Sequence, residues 1–284
     1  MRYYYRRNQL LYEQAIPQRM TYVNSYSIRY FDYDGIAHKS HDYKVLILLH
    51  GLGASAERWL FVAPTLSKYF RILVPDIVGF GYSDKPTVEY KMDFFIDFFQ
   101  GFLENLHIDR PIIIGSSFGG YLAAEFAIRF SNKLEQLVLA APAGMMRYST
   151  KVLDEYIMAA LYPTYENALR AFMDMAFDPS IVTEDTVKDF VNRMRLPNAK
   201  YAFMSTVLGL RDDSRKLPAR LSKIITPTLL IWGDNDNMIP LQSSEEYNKI
   251  PGSNLAVIKD CGHTPYVEKP TVFNQTILKF LMNP

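Results

Sequence analysis

Short apolar runs alternate with longer stretches of helical periodicity along most of this chain. The runs are rich in valine, isoleucine and leucine, and they lie at 45–49, 70–74, 112–114, 137–140, 228–232 and 255–258. Uninterrupted runs of this length are typical of strands that are covered on both faces. Helical patterns follow most of them, at about 56–66, 94–106, 241–249 and 272–282, and an alanine-rich one begins near 118. Repeated strand–helix units predict an α/β fold with a mainly parallel, doubly wound sheet.

The strand–helix alternation stops between about 145 and 210. Four helical patterns replace it, at 153–162, 166–177, 184–195 and 199–208, and prolines lie between them. We therefore divide the chain into a first part of the core (1–144), an inserted helical cap or lid (145–210) and a second part of the core (211–284). Because ligands of such sheets bind outside the carboxyl ends of the strands, the cap is expected to lie over the site.

The N-terminal region is less clearly patterned. Residues 27–33 are predicted to form a strand, and Asp34-Gly35 is a hairpin-type turn signal. Residues 1–20 are rich in tyrosine and arginine. They fit either a short helix laid on the body of the protein or a basic arm that touches an anionic surface.

Composition excludes several classes of protein. Hydrophobic residues make up 49% of the 284 residues, and 31 basic against 30 acidic side chains give a net charge of +1. No basic excess indicates a nucleic-acid partner, and no apolar run approaches the ~20 residues that span a bilayer. The single cysteine, Cys261, fits a reducing compartment. We expect a cytoplasmic protein without stable membrane insertion, either a monomer or a homodimer.

The run at 112–114 leads into the one Gly-x-Ser-x-Gly motif of the chain. The motif is Gly-Ser-Ser-Phe-Gly at 115–119, and the alanine-rich helix follows it at once. A strand, a sharp turn and a helix in this order hold a serine in a strained turn with its hydroxyl exposed. Bulky neighbours would clash in such a turn, which accounts for Gly115 and Gly119. Ser117 is therefore predicted to be a nucleophile.

A serine nucleophile needs a base, and the base needs a group that orients it. Among the five histidines, His263 directly follows the last strand, so its loop opens at the same edge of the sheet as Ser117. The loop after 228–232 carries two acids. Asp236 is preferred because it lies deeper in that loop, whereas Asp234 lies beside a glycine and fits a hydrogen bond to its own turn backbone.

The tetrahedral intermediate of acyl transfer needs two preorganised donors for its oxyanion. Phe118 N–H is one candidate, at the start of a helix whose dipole favours negative charge. The second is assigned to Leu52 N–H, in a loop at 50–53 where glycines let the backbone approach a substrate. His50 and Asp76 could also be read as catalytic, but maintaining loop geometry is the preferred role for both.

Several motifs together resemble the α/β-hydrolase superfamily. They are His-Gly-Leu-Gly at 50–53, Pro-Asp with a glycine-rich loop at 75–83, the serine motif, the acidic loop at 233–240, and Gly-His through Lys-Pro at 262–270. The order serine, aspartate, histidine along the chain matches as well. The resemblance covers about 45–281 and implies an α/β-hydrolase fold whose sheet carries an inserted helical cap. It implies much less about the substrate, because this scaffold supports many chemistries.

The resemblance favours some branches of the superfamily over others. Haloalkane dehalogenases and epoxide hydrolases need an aspartate where Ser117 stands. Carbon–carbon bond hydrolases of meta-cleavage products share the serine and the lid, but they typically have tryptophan where Thr264 stands. They also use a lid arginine, for which Arg193 and Arg195 are candidates. Esterases and monoacylglycerol-lipase-like enzymes tolerate Thr264 and the proline after it.

The predicted lid contains seven of the twelve methionines, together with several tyrosines and phenylalanines. A flexible aromatic lining suits an acyl chain or an aryl group, although the same residues fit the core of a small helical layer equally well. Gly51, Met145 and Met146 are assigned to substrate binding. No cluster resembles a metal site or a phosphate-binding loop, so neither a metal nor a cofactor is expected.

The main hypothesis from the sequence is a serine hydrolase that cleaves carboxylic esters with apolar acyl or aryl groups through an acyl-enzyme. Ser117, Asp236 and His263 are its expected triad, and a small-molecule ester is its expected partner. One alternative is a carbon–carbon bond hydrolase of the meta-cleavage-product type. Another is an acyltransferase or perhydrolase on the same fold. A non-catalytic receptor ranks lowest, because such proteins usually lack a triad member.

Overall fold

The computed structural model of this protein describes residues 18–33, 44–145, 148–214 and 216–282, and it contains one eight-stranded sheet. The strand order across the sheet is β1-β2-β4-β3-β5-β6-β7-β8. In chain order the strands are β1 (Gln18–Val23), β2 (Tyr26–Tyr33), β3 (Val45–Leu49), β4 (Arg71–Pro75), β5 (Ile112–Ser116), β6 (Gln136–Ala140), β7 (Thr228–Gly233) and β8 (Asn254–Ile258).

The six strands from β3 to β8 are mutually parallel, and the antiparallel strands β1 and β2 extend one side of the sheet. Successive residues of β3 point to opposite faces. Leu46 and Leu48 enter the apolar cluster on one face of the sheet, while Ile47 and Leu49 enter the cluster on the other. The prediction of a mainly parallel sheet covered on both faces is therefore confirmed.

Ten α-helices follow the chain, three of them only four residues, or about one turn, long. They are α1 (Ala63–Leu66), α2 (Met92–Asn105), α3 (Phe118–Arg129), α4 (Lys151–Leu161), α5 (Tyr165–Met175), α6 (Glu184–Met194), α7 (Ala199–Ser214), α8 (Ser244–Tyr247), α9 (Pro265–Glu268) and α10 (Pro270–Met282). This count covers the described ranges alone. None of these helices combines the length and apolar character that a bilayer crossing requires.

Two of the predicted helices are broken in the structure. The pattern at 56–66 forms a 3-10 turn, Ala56–Trp59, and then the short helix α1. Pro64 lies at the second position of α1. A proline suits the first turn of a helix, but it cannot continue a helix that began earlier. The pattern at 241–249 similarly forms a 3-10 turn, Leu241–Ser243, followed by α8.

The N-terminal part of the sheet differs from the sequence prediction. The structure has a hairpin between β1 and β2, whose turn residues Asn24 and Ser25 have positive φ angles of 49° and 70°. Residues 18–20 lie in β1 rather than in a helix or a basic arm. The predicted turn at Asp34-Gly35 and residues 1–17 lie outside the described residues.

The helices α4 to α7 occupy the chain between β6 and β7, and we call residues 151–214 the helical segment. Its first three helices begin at threonines. The hydroxyl oxygens of Thr150, Thr164 and Thr183 each accept a hydrogen bond of 3.2 Å from the backbone N–H three residues later. Such caps satisfy backbone donors that a helix start otherwise leaves unpaired.

The helical segment and the residues that flank its helices pack against loops at the carboxyl ends of the strands. Thr150 Oγ1 donates to the carbonyl of Met238, in the loop after β7, at 3.0 Å. Asn198 Nδ2 donates to the carbonyl of Lys85, in the loop after β4, at 3.0 Å. The segment is thereby attached to the sheet edge at which the predicted site residues lie.

Candidate active site

Ser117 occupies the turn between β5 and α3. Its backbone angles are φ 52° and ψ −117°, a strained combination for a residue with a side chain. Its N–H donates to the carbonyl of Ala140 at 3.0 Å. A Cβ atom at Gly115 would overlap the Gly119 carbonyl, and one at Gly119 would overlap the Leu49 carbonyl. The two glycines thus allow the backbone contacts that this turn requires.

His263 and Asp236 meet at the carboxyl edge of the sheet. His263 Nδ1 lies 2.8 Å from Asp236 Oδ2, and both side chains are buried. The other carboxylate oxygen of Asp236 accepts hydrogen bonds from Met238 N–H at 2.9 Å and Ile239 N–H at 2.8 Å. The loop after β7 therefore fixes the carboxylate, and the carboxylate in turn fixes the orientation of the imidazole.

Asp234, the alternative acid, lies on the surface. Its carboxylate accepts from the Asn235 side chain at 2.6 Å and from Cys261 N–H at 3.3 Å. It thus connects two neighbouring loops, whereas the sequence analysis expected a hydrogen bond within its own turn. The structure brings Asp236, and not Asp234, to His263.

Ser117 and His263 line the same cavity. No direct hydrogen bond joins the Ser117 hydroxyl to the imidazole, although both residues are described. A hydrogen bond between nucleophile and base often tightens only when substrate binds. Both side chains thus reach one cavity, as proton transfer from Ser117 to His263 would require.

The loop after β3 runs beside Ser117. A side chain at Gly51 would lie 3.3 Å from Ser117 Cβ. His50 Nδ1 lies 2.8 Å from the Gly51 carbonyl oxygen, and His50 Nε2 accepts a hydrogen bond from Ile77 N–H at 3.0 Å. Burial lowers the pKa of His50 to about 4, so the ring is neutral at pH 7 and Nδ1 carries its proton.

This contact of His50 orients a candidate oxyanion donor. A trans peptide is planar, so its carbonyl and its N–H point in opposite directions. Fixing the Gly51 carbonyl therefore also fixes Leu52 N–H. The Ser117 carbonyl accepts from Tyr121 N–H at 3.0 Å and Ala143 N–H at 2.9 Å, which fixes Phe118 N–H in the same way.

The helical segment holds the next two carbonyls of the same loop. Tyr156 Oη donates to the Leu52 carbonyl at 2.6 Å, and Arg193 Nη1 donates to the Gly53 carbonyl at 2.7 Å. Both side chains are buried. The loop at 50–53 is thus held from the sheet side by His50 and from the opposite side by two helices that are distant in sequence.

Glu268 organises the backbone around His263. Its carboxylate accepts hydrogen bonds from Gly262 N–H at 2.8 Å and Thr264 N–H at 3.1 Å, on both sides of the histidine. It also accepts from Phe177 N–H at 2.9 Å, at the end of α5. The sequence analysis quoted this glutamate only within a motif. The sequence signal that could have indicated this role is the spacing of Glu268, which follows Gly262 of the histidine loop by six residues.

Asp76 lies away from His263 and ties two loops together. Its carboxylate accepts from Ala56 N–H and Tyr82 N–H, each at 2.7 Å, and pairs with Arg29 Nε at 2.6 Å. The guanidinium of Arg29 also forms a bidentate pair with Glu57 at 2.6 and 2.7 Å. This buried network supports a role of Asp76 in loop geometry.

Replacing Asp76 by alanine is expected to lower the free energy of unfolding by about 3 kcal/mol, because one buried and one partly buried N–H group and the buried guanidinium of Arg29 lose a partner. Urea denaturation followed by circular dichroism measures the change. Asp84→Ala is the matched control in the same loop, since Asp84 is exposed and, among the described residues, its carboxylate accepts a hydrogen bond only from Ser27 N–H. The control should stay within about 1 kcal/mol. Equal losses in the two variants would contradict the proposed network.

A cavity of about 770 Å³ opens over Ser117 and His263. Its floor includes Gly51, Leu52 and Phe118, and the helical segment supplies much of the remaining wall. Apolar and aromatic side chains from the segment and from the adjoining loops dominate that wall: Phe61, Leu153, Tyr156, Ile157, Phe172, Met175, Phe190, Val207, Leu208, Met238, Ile239 and Tyr266. Such a lining suits an organic substrate of moderate size.

The residues that the sequence assigned to substrate binding lie in different places. Gly51 lies in the cavity wall. Met145 does not, because the chain turns at Gly144, whose φ is 105°, and the Met145 side chain packs in the apolar core. Met146 lies outside the described residues. Among the other lid methionines, Met175 lines the cavity, whereas Met158 and Met173 are exposed.

Comparison with known proteins identifies the family of this chain. The model of the family described as having the alpha/beta hydrolase fold matches residues 44–270. The chain is 30% identical over 274 residues to the 2-hydroxy-6-oxo-2,4-heptadienoate hydrolase of Pseudomonas putida, an alignment that covers 92% of this chain and 99% of the relative. It is also 30% identical over 245 residues to the 2-hydroxymuconate semialdehyde hydrolase of Pseudomonas sp. strain CF600, covering 83% of this chain and 86% of that one.

A solved structure gives the same result. The meta-cleavage product hydrolase of Pseudomonas fluorescens IP01, crystallised with acetates, superposes with a TM-score of 0.82 at 27% identity. The superposition covers 95% of this chain and 98% of that chain. The family match spans both parts of the sheet and the helices between them. The chain therefore belongs to the α/β-hydrolase family and is a hydrolase.

Proposed function

We propose that this hydrolase cleaves the carbon–carbon bond next to the 6-oxo group of a 2-hydroxy-6-oxo-dienoate, a vinylogous diketone acid. The observation that carries the proposal is the match to a 2-hydroxy-6-oxo-2,4-heptadienoate hydrolase over 92% of this chain and 99% of the relative. From the sequence alone, this reaction was the alternative to ester cleavage. The relatives named as hydrolases of ring-cleavage products now favour it over the ester hypothesis.

The proposed first step is attack by Ser117 on the 6-oxo carbon. His263 accepts the hydroxyl proton through Nε2, because its Nδ1 proton is held by Asp236 2.8 Å away. The electron pair of the carbonyl moves to oxygen. Leu52 N–H and Phe118 N–H bind that oxyanion, and they need no reorganisation because side chains and backbone already hold their peptides.

The proposed second step breaks the bond between the 6-oxo carbon and its neighbour in the diene. In the keto tautomer of the substrate, the released electron pair is delocalised through the adjacent double bond to the 2-oxo oxygen. The protonated His263 returns its proton to this dienolate, so the fragment leaves as a 2-hydroxydienoate that keeps its carboxylate. Water then attacks the acyl-enzyme with His263 again as base, which releases a carboxylic acid and restores Ser117.

Ester hydrolysis is the second candidate, and one position favours it. Thr264 lines the cavity beside His263, where the resemblance leads one to expect tryptophan in the carbon–carbon hydrolases. An ester needs no stabilised carbon leaving group, since its alkoxide takes the proton of His263 directly. The apolar wall of the cavity suits either substrate class.

Purified enzyme assayed on a 2-hydroxy-6-oxo-2,4-dienoate and on p-nitrophenyl butyrate separates the two candidates. Loss of dienolate absorbance reports carbon–carbon cleavage, and p-nitrophenolate release reports ester cleavage. We expect kcat/KM for the dienoate to exceed that for the ester by about 10²-fold or more, because a site built for the polar groups of a substrate discriminates against analogues that lack them.

Ser117→Ala serves as the control in both assays and should be inactive in each, which excludes a contaminating esterase. Rapid ester turnover without dienoate turnover would refute carbon–carbon cleavage and support the ester candidate.

A further inference from the structure

The cavity over Ser117 is lined by acidic as well as basic side chains, and one of its cations, Arg58, has no ion-pair partner among the described residues. Arg58 lies in its wall and is half-buried. Among the described residues, none forms a hydrogen bond or an ion pair with the Arg58 guanidinium. The guanidinium lies over the ring of Phe172, whose centroid is 6.0 Å from Arg58 Cζ. A cation over an aromatic face is favourable, but the contact leaves the five N–H donors of the guanidinium for a ligand.

The backbone that carries Arg58 is fixed on both sides. Glu57 forms the bidentate pair with Arg29 at 2.6 and 2.7 Å. Trp59 is fully buried and stacks on Tyr266, with ring centroids 4.2 Å apart. Arg58 is therefore presented to the cavity from a rigid 3-10 turn that directly follows the loop at 50–53.

The two lid arginines named as candidates from the sequence are engaged elsewhere. Arg193 also lines the cavity, but its Nε pairs with Asp189 at 2.9 Å and its Nη1 donates to the Gly53 carbonyl at 2.7 Å. Asp189 therefore offsets much of the positive charge of Arg193. Arg195 donates twice to the Pro163 carbonyl, at 3.2 and 2.8 Å, and does not line the cavity. Neither arginine presents a free fork of donors comparable to that of Arg58.

We propose that Arg58 binds a carboxylate group of the substrate and so makes the cavity selective for acids over their neutral esters. The planar guanidinium matches a carboxylate with two parallel hydrogen bonds, and a mostly apolar wall strengthens the attraction. The assignment rests on the proposed function, whose substrate is a dienoate. Beyond that function, the proposal states which residue binds the substrate carboxylate: Arg58, on the core side of the cavity, rather than Arg193 or Arg195 of the lid.

The test measures binding without turnover. Sorbate (2,4-hexadienoate) and methyl sorbate are titrated into the Ser117→Ala enzyme by isothermal calorimetry. The two probes share the diene and differ in the carboxylate charge. We expect sorbate to bind roughly 10- to 100-fold more tightly than methyl sorbate, the range for a hydrogen-bonded charged pair. Adding Arg58→Gln should remove this preference by weakening sorbate alone, and Arg58→Lys should restore part of it because the charge returns without the fork.

Arg195→Gln is the matched control and should leave the affinities for both probes unchanged. Equal weakening of sorbate and methyl sorbate by Arg58→Gln would overturn the proposal, because it would indicate a structural role. A preference that persists in Arg58→Gln, or is absent from the parent enzyme, would overturn it as well. Sorbate has no 6-oxo group, so these binding results do not depend on whether the enzyme cleaves a carbon–carbon bond. A failure of the proposed carbon–carbon cleavage would be seen separately, as absent turnover in the dienoate assay.

Discussion

Replacing Ser117 by alanine is expected to lower kcat by roughly 10⁴- to 10⁶-fold, the range seen when a serine hydrolase loses its nucleophile. The remaining groups would still bind substrate and its oxyanion, so a small residual rate over water is expected. The variant should also lose covalent labelling by a fluorophosphonate probe. The fold should persist, because alanine lacks only a hydroxyl that protrudes into the cavity.

Ser116→Ala is the matched control for this variant. Ser116 is the preceding residue, it is buried in β5, and its hydroxyl has no hydrogen-bond partner among the described residues. The control enzyme should keep both its labelling and most of its activity. If the Ser117→Ala enzyme were still labelled, and the label were lost only in the control, the nucleophile would have been assigned to the wrong serine.

Replacing Asp236 by asparagine is expected to lower kcat by about 10⁴-fold, as for the corresponding carboxylate of trypsin. The structure supplies a specific reason. Two backbone N–H groups, of Met238 and Ile239, donate to Asp236 Oδ1. They would hold the amide oxygen of the asparagine at that position and turn its NH₂ group towards His263. Nδ1 would then have to accept, the proton would move to Nε2, and the imidazole could no longer take the proton of Ser117.

Asp234→Asn provides the control for charge and loop position. Asp234 is exposed and two residues from Asp236, so its replacement should change kcat by less than about threefold. Steady-state kinetics of the two variants, with thermal unfolding to check the fold, make the comparison. A large loss of kcat in Asp234→Asn with normal activity in Asp236→Asn would mean that the other acid orients the imidazole.

Local patterns were enough to predict most elements of the fold. The apolar runs, such as 112–114 and 228–232, correspond to β5 and β7, because a strand buried on both faces must be apolar at every position. The prediction of one continuous helix at 56–66 was wrong. Pro64 lies in the first turn of a separate helix, because a proline cannot continue a helix that began earlier. The hairpin of β1 and β2 was missed, because Asn24 and Ser25 are a weaker turn signal than a glycine.

Candidate site residues could be predicted where they follow a strand. Ser117, Asp236 and His263 come after β5, β7 and β8, and parallel strands place such loops at one edge. The supporting contacts could not be predicted in the same way. Tyr156 and Arg193 reach the loop at 50–53 from positions more than 100 residues later, and no local pattern reports a contact of that separation.

The sequence by itself determined the alternation of strands and helices, the strained turn at Ser117 and the order of the candidate catalytic residues, because each depends on neighbours along the chain. Only the tertiary structure decided that His263 pairs with Asp236 rather than with Asp234, that Met145 packs in the core, and that Arg58 lies in the cavity wall with no hydrogen-bond or ion-pair partner in the described part of the chain. These features arise when distant segments pack together, and the packing determines which polar groups are paired and which are left for a ligand.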